Sequence, residues 1–191
     1  MAIDEERLLL LKIKRDLRNF GILFDTYYKP IFNYIFRRVA QYDVSRDIAS
    51  ETFLKAYLNI NSFIWKKIPI SSWLYRIATN EINLYIRKAK NYPISLDKLL
   101  ENNMFDRQVT DDYLTEKDLF DKELHFHNEF LEVQKKIIKL DFKYQEVLSL
   151  RYFEKKTIIE IADILNKKEG TIKSLLSRGI NKLRDLLNNA T

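Results

Sequence analysis

The chain contains no cysteine, which excludes disulfides and any thiolate metal site. Glycine and proline number three each in 191 residues, too few for the tight turns of an all-β fold. The glycines share no motif, so there is no phosphate-cradling loop, and neither a nucleophile elbow nor an HExxH zinc motif is present. Histidine occurs only as His125 and His127. Two residues apart on a helix, these would point in different directions, and no metal is expected. No run of 18 apolar residues exists, so no membrane span is expected. The first 18 residues mix charge with apolar side chains and lack a signal-peptide core. These absences predict a cytoplasmic protein that is not an enzyme and holds no cofactor.

What is present is helical periodicity and unevenly placed charge. Apolar residues make up 46% of the chain and aromatics 13%, enough for packed cores. The net charge is +6. Residues 1–94 carry 16 Lys/Arg against 9 Asp/Glu, residues 95–132 carry 4 against 11, and residues 133–191 carry 13 against 7. Basic blocks attract polyanions by counterion release. The acidic middle would be repelled by the same nucleic acid or would mimic it. The expected fold is all-α: two small helical domains, residues 1–92 and 130–191, joined by an acidic linker at 93–129.

Apolar spacing predicts helices over residues 4–17, 24–40, 45–59 and 71–90. Leu8, Leu9, Leu11 and Ile13 require the first to pack on something. Asn19-Phe20-Gly21 reads as a break, and Pro30 as a local fault in the second helix. Asp43 or Ser45 would cap the third helix, whose apolar face holds Ile48, Ala49, Thr52, Phe53, Ala56 and Tyr57. Asp47 and Glu51 lie one turn apart on another face. With no His or Cys nearby they read as a solvated or partner-binding surface rather than a catalytic pair. Residues 60–70 are irregular and contain Phe63-Ile64-Trp65-Lys66-Lys67. Aromatics interleaved with lysines suit single-stranded nucleic acid. Taken alone, the stretch reads first as a loop whose aromatics plug the core, ahead of the nucleic-acid reading.

Ser71 would cap the next helix. Besides its apolar face it carries Arg76, Asn80, Asn83 and Arg87, spaced four, three and four, on one polar stripe that Lys88 extends. Arg and Asn make bidentate contacts to bases. Further amphipathic helices are expected at 131–140 and 144–153. Thr157, with Glu160 three residues on, forms a capping box before Ile158, Ile161, Ala162 and Leu165. Asn166 suits the left-handed conformation that ends a helix. The following helix buries Ile172, Leu175, Leu176, Ile180, Leu183 and Leu187. It exposes Lys173, Ser174, Ser177, Arg178, Asn181 and Lys182. This is a helix-turn-helix pattern with donors and no acid on the outer face.

At this point the chain resembles bacterial sigma factors of the extracytoplasmic-function (group 4) type. "SRDIASETFLKAY" (residues 45–57) is similar to the family's core-binding helix, and "WLYRIATNEINLYIRK" (residues 73–88) to its promoter-melting helix. "YQEVLSLRYFEKKTIIEIADILNKKEGTIKSLLSRGINKLR" (residues 144–184) is similar to its C-terminal helix-turn-helix. The resemblance implies that Asp47, Glu51 and Phe53 face the clamp helices of the polymerase largest subunit. The flap of the second subunit would be a further contact. It implies that Lys66, Lys67, Trp73, Arg76, Asn80, Asn83, Arg87 and Lys88 engage the −10 element. One non-template base would be flipped out into a pocket there. Thr171, Lys173, Ser174, Ser177, Arg178 and Lys182 would read the −35 element in the major groove. An anti-sigma factor is a further implied partner. Some positions depart from the family pattern. Leu175 stands where Arg is common, Gly179-Ile180 where Ala-Arg is common, and Lys168 where a Ser N-cap is usual. Fewer arginines imply a different −35 preference or a weaker grip. Two rival readings are a stand-alone helix-turn-helix regulator and a helical module that binds an acidic protein.

Overall fold

The structure, a computed structural model, describes residues 3–39, 41–65, 68–91, 136–137 and 139–188. Among the described residues there are helices and turns but no strand. Helix α1 spans Ile3–Arg15 and is followed by a 3-10 turn at Leu17–Asn19. Helices α2 (Phe20–Val39), α3 (Tyr42–Asn59) and α4 (Ile70–Asn91) complete an N-terminal half, with a second 3-10 turn at Ile60–Ser62. The C-terminal half contains α5 (Phe142–Leu148), a π-helical turn at Ser149–Phe153, α6 (Ile158–Leu165) and α7 (Glu169–Asn188). The acidic stretch at 93–129, both histidines, Lys66 and Lys67 lie outside the described residues, as does most of the helix expected at 131–140.

In the N-terminal half, Leu23, Ile31, Ile35, Ala49, Ala56, Ile60, Leu74 and Ile82 are fully enclosed between α2, α3 and α4. In the C-terminal half, Val147, Leu150, Ile161 and Ile172 fill the space between α5, α6 and α7. The two cores are continuous, because α6 packs directly on α4. Gly179 sits where α7 crosses α5; a Cβ there would lie 3.3 Å from Leu148 Cδ1. The small residue therefore sets how closely the two helices approach.

Several local expectations are corrected. Helix α2 starts at Phe20, so Gly21 lies in its first turn and is no break. Pro30 stays inside α2 without ending it; it is exposed, where solvent can satisfy the carbonyl it leaves unpaired. Neither Asp43 nor Ser45 caps α3. The helix starts at Tyr42, and Ser45 Oγ donates back to the Gln41 carbonyl at 2.6 Å. Ser71 is likewise inside α4 rather than its cap. Leu8 and Leu11 are exposed; the face of α1 that packs is Glu6, Leu9, Leu10 and Ile13. Tyr57 is also partly exposed, its ring edge-on to Phe20. The helix expected at 144–153 begins at Phe142 and loosens into the π turn.

The helix-turn-helix forms as its sequence dictates. Thr157 Oγ1 accepts from the Glu160 amide, and Glu160 Oε2 accepts from the Thr157 amide at 2.8 Å. Asn166 closes α6 in the left-handed region at φ 51°. Replacing Thr157 by Ala removes one side of this reciprocal cap and should cost about 1 kcal/mol. Urea denaturation should show that as a lower midpoint with an unchanged m-value.

Candidate nucleic-acid interface

Helix α4 forms the centre of the candidate site because its polar stripe follows from the 3.6-residue repeat. The structure divides that stripe. Asn80 and Arg87 are exposed, as is Lys88. Arg76 and Asn83 are held by the C-terminal half. Arg76 Nη2 donates to Asp163 Oδ2 at 2.6 Å and to the Asp163 backbone carbonyl at 2.5 Å. A cation at the last turn of α6 also suits that helix's dipole. Asn83 Nδ2 donates to Glu146 Oε1 at 2.8 Å.

A third carboxylate, Glu154, makes another contact between the halves. It accepts from Arg37 Nη1 and from the Tyr75 hydroxyl, both at 2.5 Å. Its neighbour Lys156 donates to Ser71 Oγ at 2.8 Å and lies 4.9 Å from the Tyr75 ring centroid. Lys155 between them adopts φ 52°. This left-handed turn costs an L-residue about 1–2 kcal/mol, and it sits between two side chains that both reach α4. Beneath them, Tyr34 shares a hydrogen bond with Thr79 at 2.8 Å. Buried Arg38 donates to the Tyr34 hydroxyl and stands 3.6 Å from Glu146. Burial raises the Tyr34 phenol above its ordinary value. The Tyr75 phenol is raised by burial and by the adjacent Glu154.

A cleft of about 490 Å3 opens beside the stripe. Phe63, Ile64, Pro69, Trp73 and Asn80 are among its lining residues. Phe63 and Trp73 rings lie 4.8 Å apart. Phe63 and Trp65 pack partly against the core, whereas Ile64 is 74% exposed. Core plugging and an open surface thus coexist in this loop.

On α7, Thr171, Lys173, Ser177, Arg178 and Lys182 are exposed and Ser174 is half-buried. They follow the outer face while Ile172, Leu176 and Gly179 face inward. Lys182 Nζ also stands 5.8 Å from the Tyr144 ring. On α3, Asp47 and Glu51 are exposed, with Glu51 3.3 Å from Lys55. Phe53 is not presented with them. It is 3% exposed and packs on Phe24 and Tyr28, so its surface role is corrected to a core role. Among the described residues no cluster of His, Asp or Glu could hold a metal, and no helix is long and apolar enough to cross a membrane.

Residues 23–92 match the family model for sigma-70 region 2, and residues 137–185 match that for sigma-70 region 4. The ECF RNA polymerase sigma factor SigW of Bacillus subtilis is 36% identical over 177 residues, which is 91% of this chain and 91% of SigW. The chain belongs to the sigma-70 family, as an extracytoplasmic-function sigma factor. It is thus a subunit that directs core RNA polymerase to promoters, and the stand-alone regulator is not favoured. Another relative, the sigma factor YlaC of B. subtilis, is 32% identical over 82% of this chain and 84% of its own. The fold is shared with CnrH, solved in complex with the cytosolic domain of CnrY. The TM-score is 0.69 at 19% identity, covering 97% of this chain and 99% of CnrH.

The residues that join the two halves were not singled out in the sequence. Glu146, Glu154 and Asp163 are acids within an otherwise basic half, which is the signal that could have marked them. Burial pushes the Glu154 carboxyl above its ordinary value, with Tyr75, Arg37 and Lys156 opposing. The folded chain therefore holds that proton more tightly than the unfolded chain. Between the ordinary and the raised value, folding takes up protons, so this contribution to stability falls as pH rises. Comparing urea stabilities of the wild type and Glu154→Gln across acidic pH should show the wild type losing ground as pH rises through that window. Above it the difference should stay flat.

Proposed function

We propose that this sigma factor, acting in the cytoplasm, grips promoters at two places and separates the strands at one of them. The observation that carries this is the pairing, beside one cleft, of aromatic walls with the exposed donors of α4. Phe63 and Trp73 offer stacking surfaces, and Asn80 offers a side-chain amide that can reach a base edge. A base extruded from the −10 element is held there, which favours the open strand. Trp73, Arg76, Asn80, Asn83, Arg87 and Lys88 serve this contact, with Lys66 and Lys67. Thr171, Lys173, Ser174, Ser177, Arg178 and Lys182 on α7 read the −35 element in duplex form. Asp47 and Glu51 meet the polymerase clamp helices. The C-terminal half also contacts the flap.

Arg76 and Asn83 cannot serve the C-terminal half and a DNA strand at once. Promoter engagement therefore requires the two halves to part, and the acids Asp163 and Glu146 occupy beforehand the place of the strand. CnrH was solved with the cytosolic domain of CnrY, and another structural neighbour, RpoE of Bartonella quintana, was solved with the anti-sigma factor NepR. An anti-sigma factor that favours the closed arrangement would keep the same donors occupied.

Transcription from a genomic promoter library with added core polymerase tests this reading, and no chain-dependent transcript from any fragment would refute it. Arg178→Ala should weaken binding to the selected −35 sequence by roughly 1–3 kcal/mol. Asn80→Ala should leave closed-complex binding close to wild type while lowering open-complex yield, as read by permanganate footprinting of unpaired thymines.

A further inference from the structure

Helix α1 lies outside the matched regions, which begin at residue 23, yet it is bonded to both flanks of the connection between α3 and α4. At one flank, Lys14 Nζ donates to the Phe63 carbonyl at 2.7 Å. At the other, Glu6 Oε2 accepts from the Ile70 amide at 2.8 Å, and Glu6 Oε1 accepts from the Tyr27 hydroxyl at 2.5 Å. Ile70 is the first residue of α4, whose amides have no partner within the helix. Glu6 is 3% exposed.

A carboxylate is costly to bury, and its hydrogen bonds at best repay its desolvation. Apolar packing by Leu9, Leu10 and Ile13 already seats α1 on the core. The two polar bonds add position rather than adhesion. Phe63 lines the cleft, and Ile70 leads into Trp73, which lines it too with its ring 4.8 Å from that of Phe63. The rise along α1 between residues 6 and 14 is about 12 Å, so one rigid helix fixes the separation of the two backbone points that carry Phe63 and lead into Trp73.

The geometry points to Glu6 and Lys14 as positioning residues that set how Phe63 and Trp73 are placed in the base-capturing cleft and hence the base preference at the −10 element. This rests on the promoter reading above. Neither side chain lines the cleft; both act through the backbone at Phe63 and at Ile70, which leads into Trp73.

The test uses the full chain with core polymerase and a set of promoters differing by single bases in the −10 element. Lys14→Met keeps the stem of an exposed side chain and removes only the donor. It should compress the ratio between preferred and substituted −10 elements by roughly 3- to 10-fold, a fraction of the usual per-base discrimination. Core affinity and −35 discrimination should stay at wild-type values. Glu6→Ala should do the same, while Glu6→Gln, which keeps an acceptor for Ile70, should retain most of the wild-type ratio. A purely structural role would lower the folded fraction without moving the ratio. Unchanged −10 discrimination in both Lys14→Met and Glu6→Ala overturns the inference alone. A wild type that shows no −10 discrimination overturns it together with the promoter reading.

Discussion

Arg76 reaches from α4 to the last turn of α6 and holds both the carboxylate and the carbonyl of Asp163. The relation of the two halves depends on this contact and its neighbours. Asn83 with Glu146 and Tyr75 with Glu154 extend the same seam along α4. The Arg76–Asp163 pair is about a third exposed on the arginine side and a quarter on the aspartate side. An ion pair so placed is worth little net free energy and is screened by salt. Glu154 and the apolar residues between α4 and α6 contribute the more enclosed part. The seam is therefore firm enough to bring the halves together, and polar enough for a polyanion to compete for the same donors.

This arrangement gives the acids of the C-terminal half a purpose that their composition alone obscures. An exposed acid near a DNA-reading helix opposes binding. Asp163 and Glu146 instead face inward onto α4, away from the outer donors of α7. In this arrangement Asp163 and Glu146 occupy Arg76 and Asn83, two of the donors proposed for DNA. At the other end of α4, Glu6 holds the first amide of the helix. The helix is fixed at its start by α1 and along its side by carboxylates of the C-terminal half.

Local physics made much of this legible in the sequence. The Thr157–Glu160 box and the left-handed Asn166 are decided within a few residues, and both form as read. The spacing of Arg76, Asn80, Asn83 and Arg87 placed them on one side of α4 for the same reason. The partners of that stripe were not legible. Arg76 and Asp163 are 87 residues apart, and no local period links them. Phe53 shows a different limit. Its place among Ile48, Ala49, Thr52 and Ala56 marks it as buried, and the structure agrees. The surface role came from resemblance to a family motif, and packing overrides it. In α1, the density of leucines signalled a packed helix. It did not reveal that Glu6, an acid among them, would be enclosed while Leu8 and Leu11 stay outside.

The central claim is that one set of donors on α4 is exchanged between the carboxylates of the C-terminal half and the promoter strand. The distance between spin labels at Leu58 on α3 and Lys167 in the turn after α6 measures this directly. Both positions are exposed, so labelling need not disturb the seam. The free chain should give a single short distance. Core polymerase with promoter DNA should replace it by a long one, since the two halves then sit on separate promoter elements. A short distance that persists in a transcriptionally competent promoter complex would contradict the exchange.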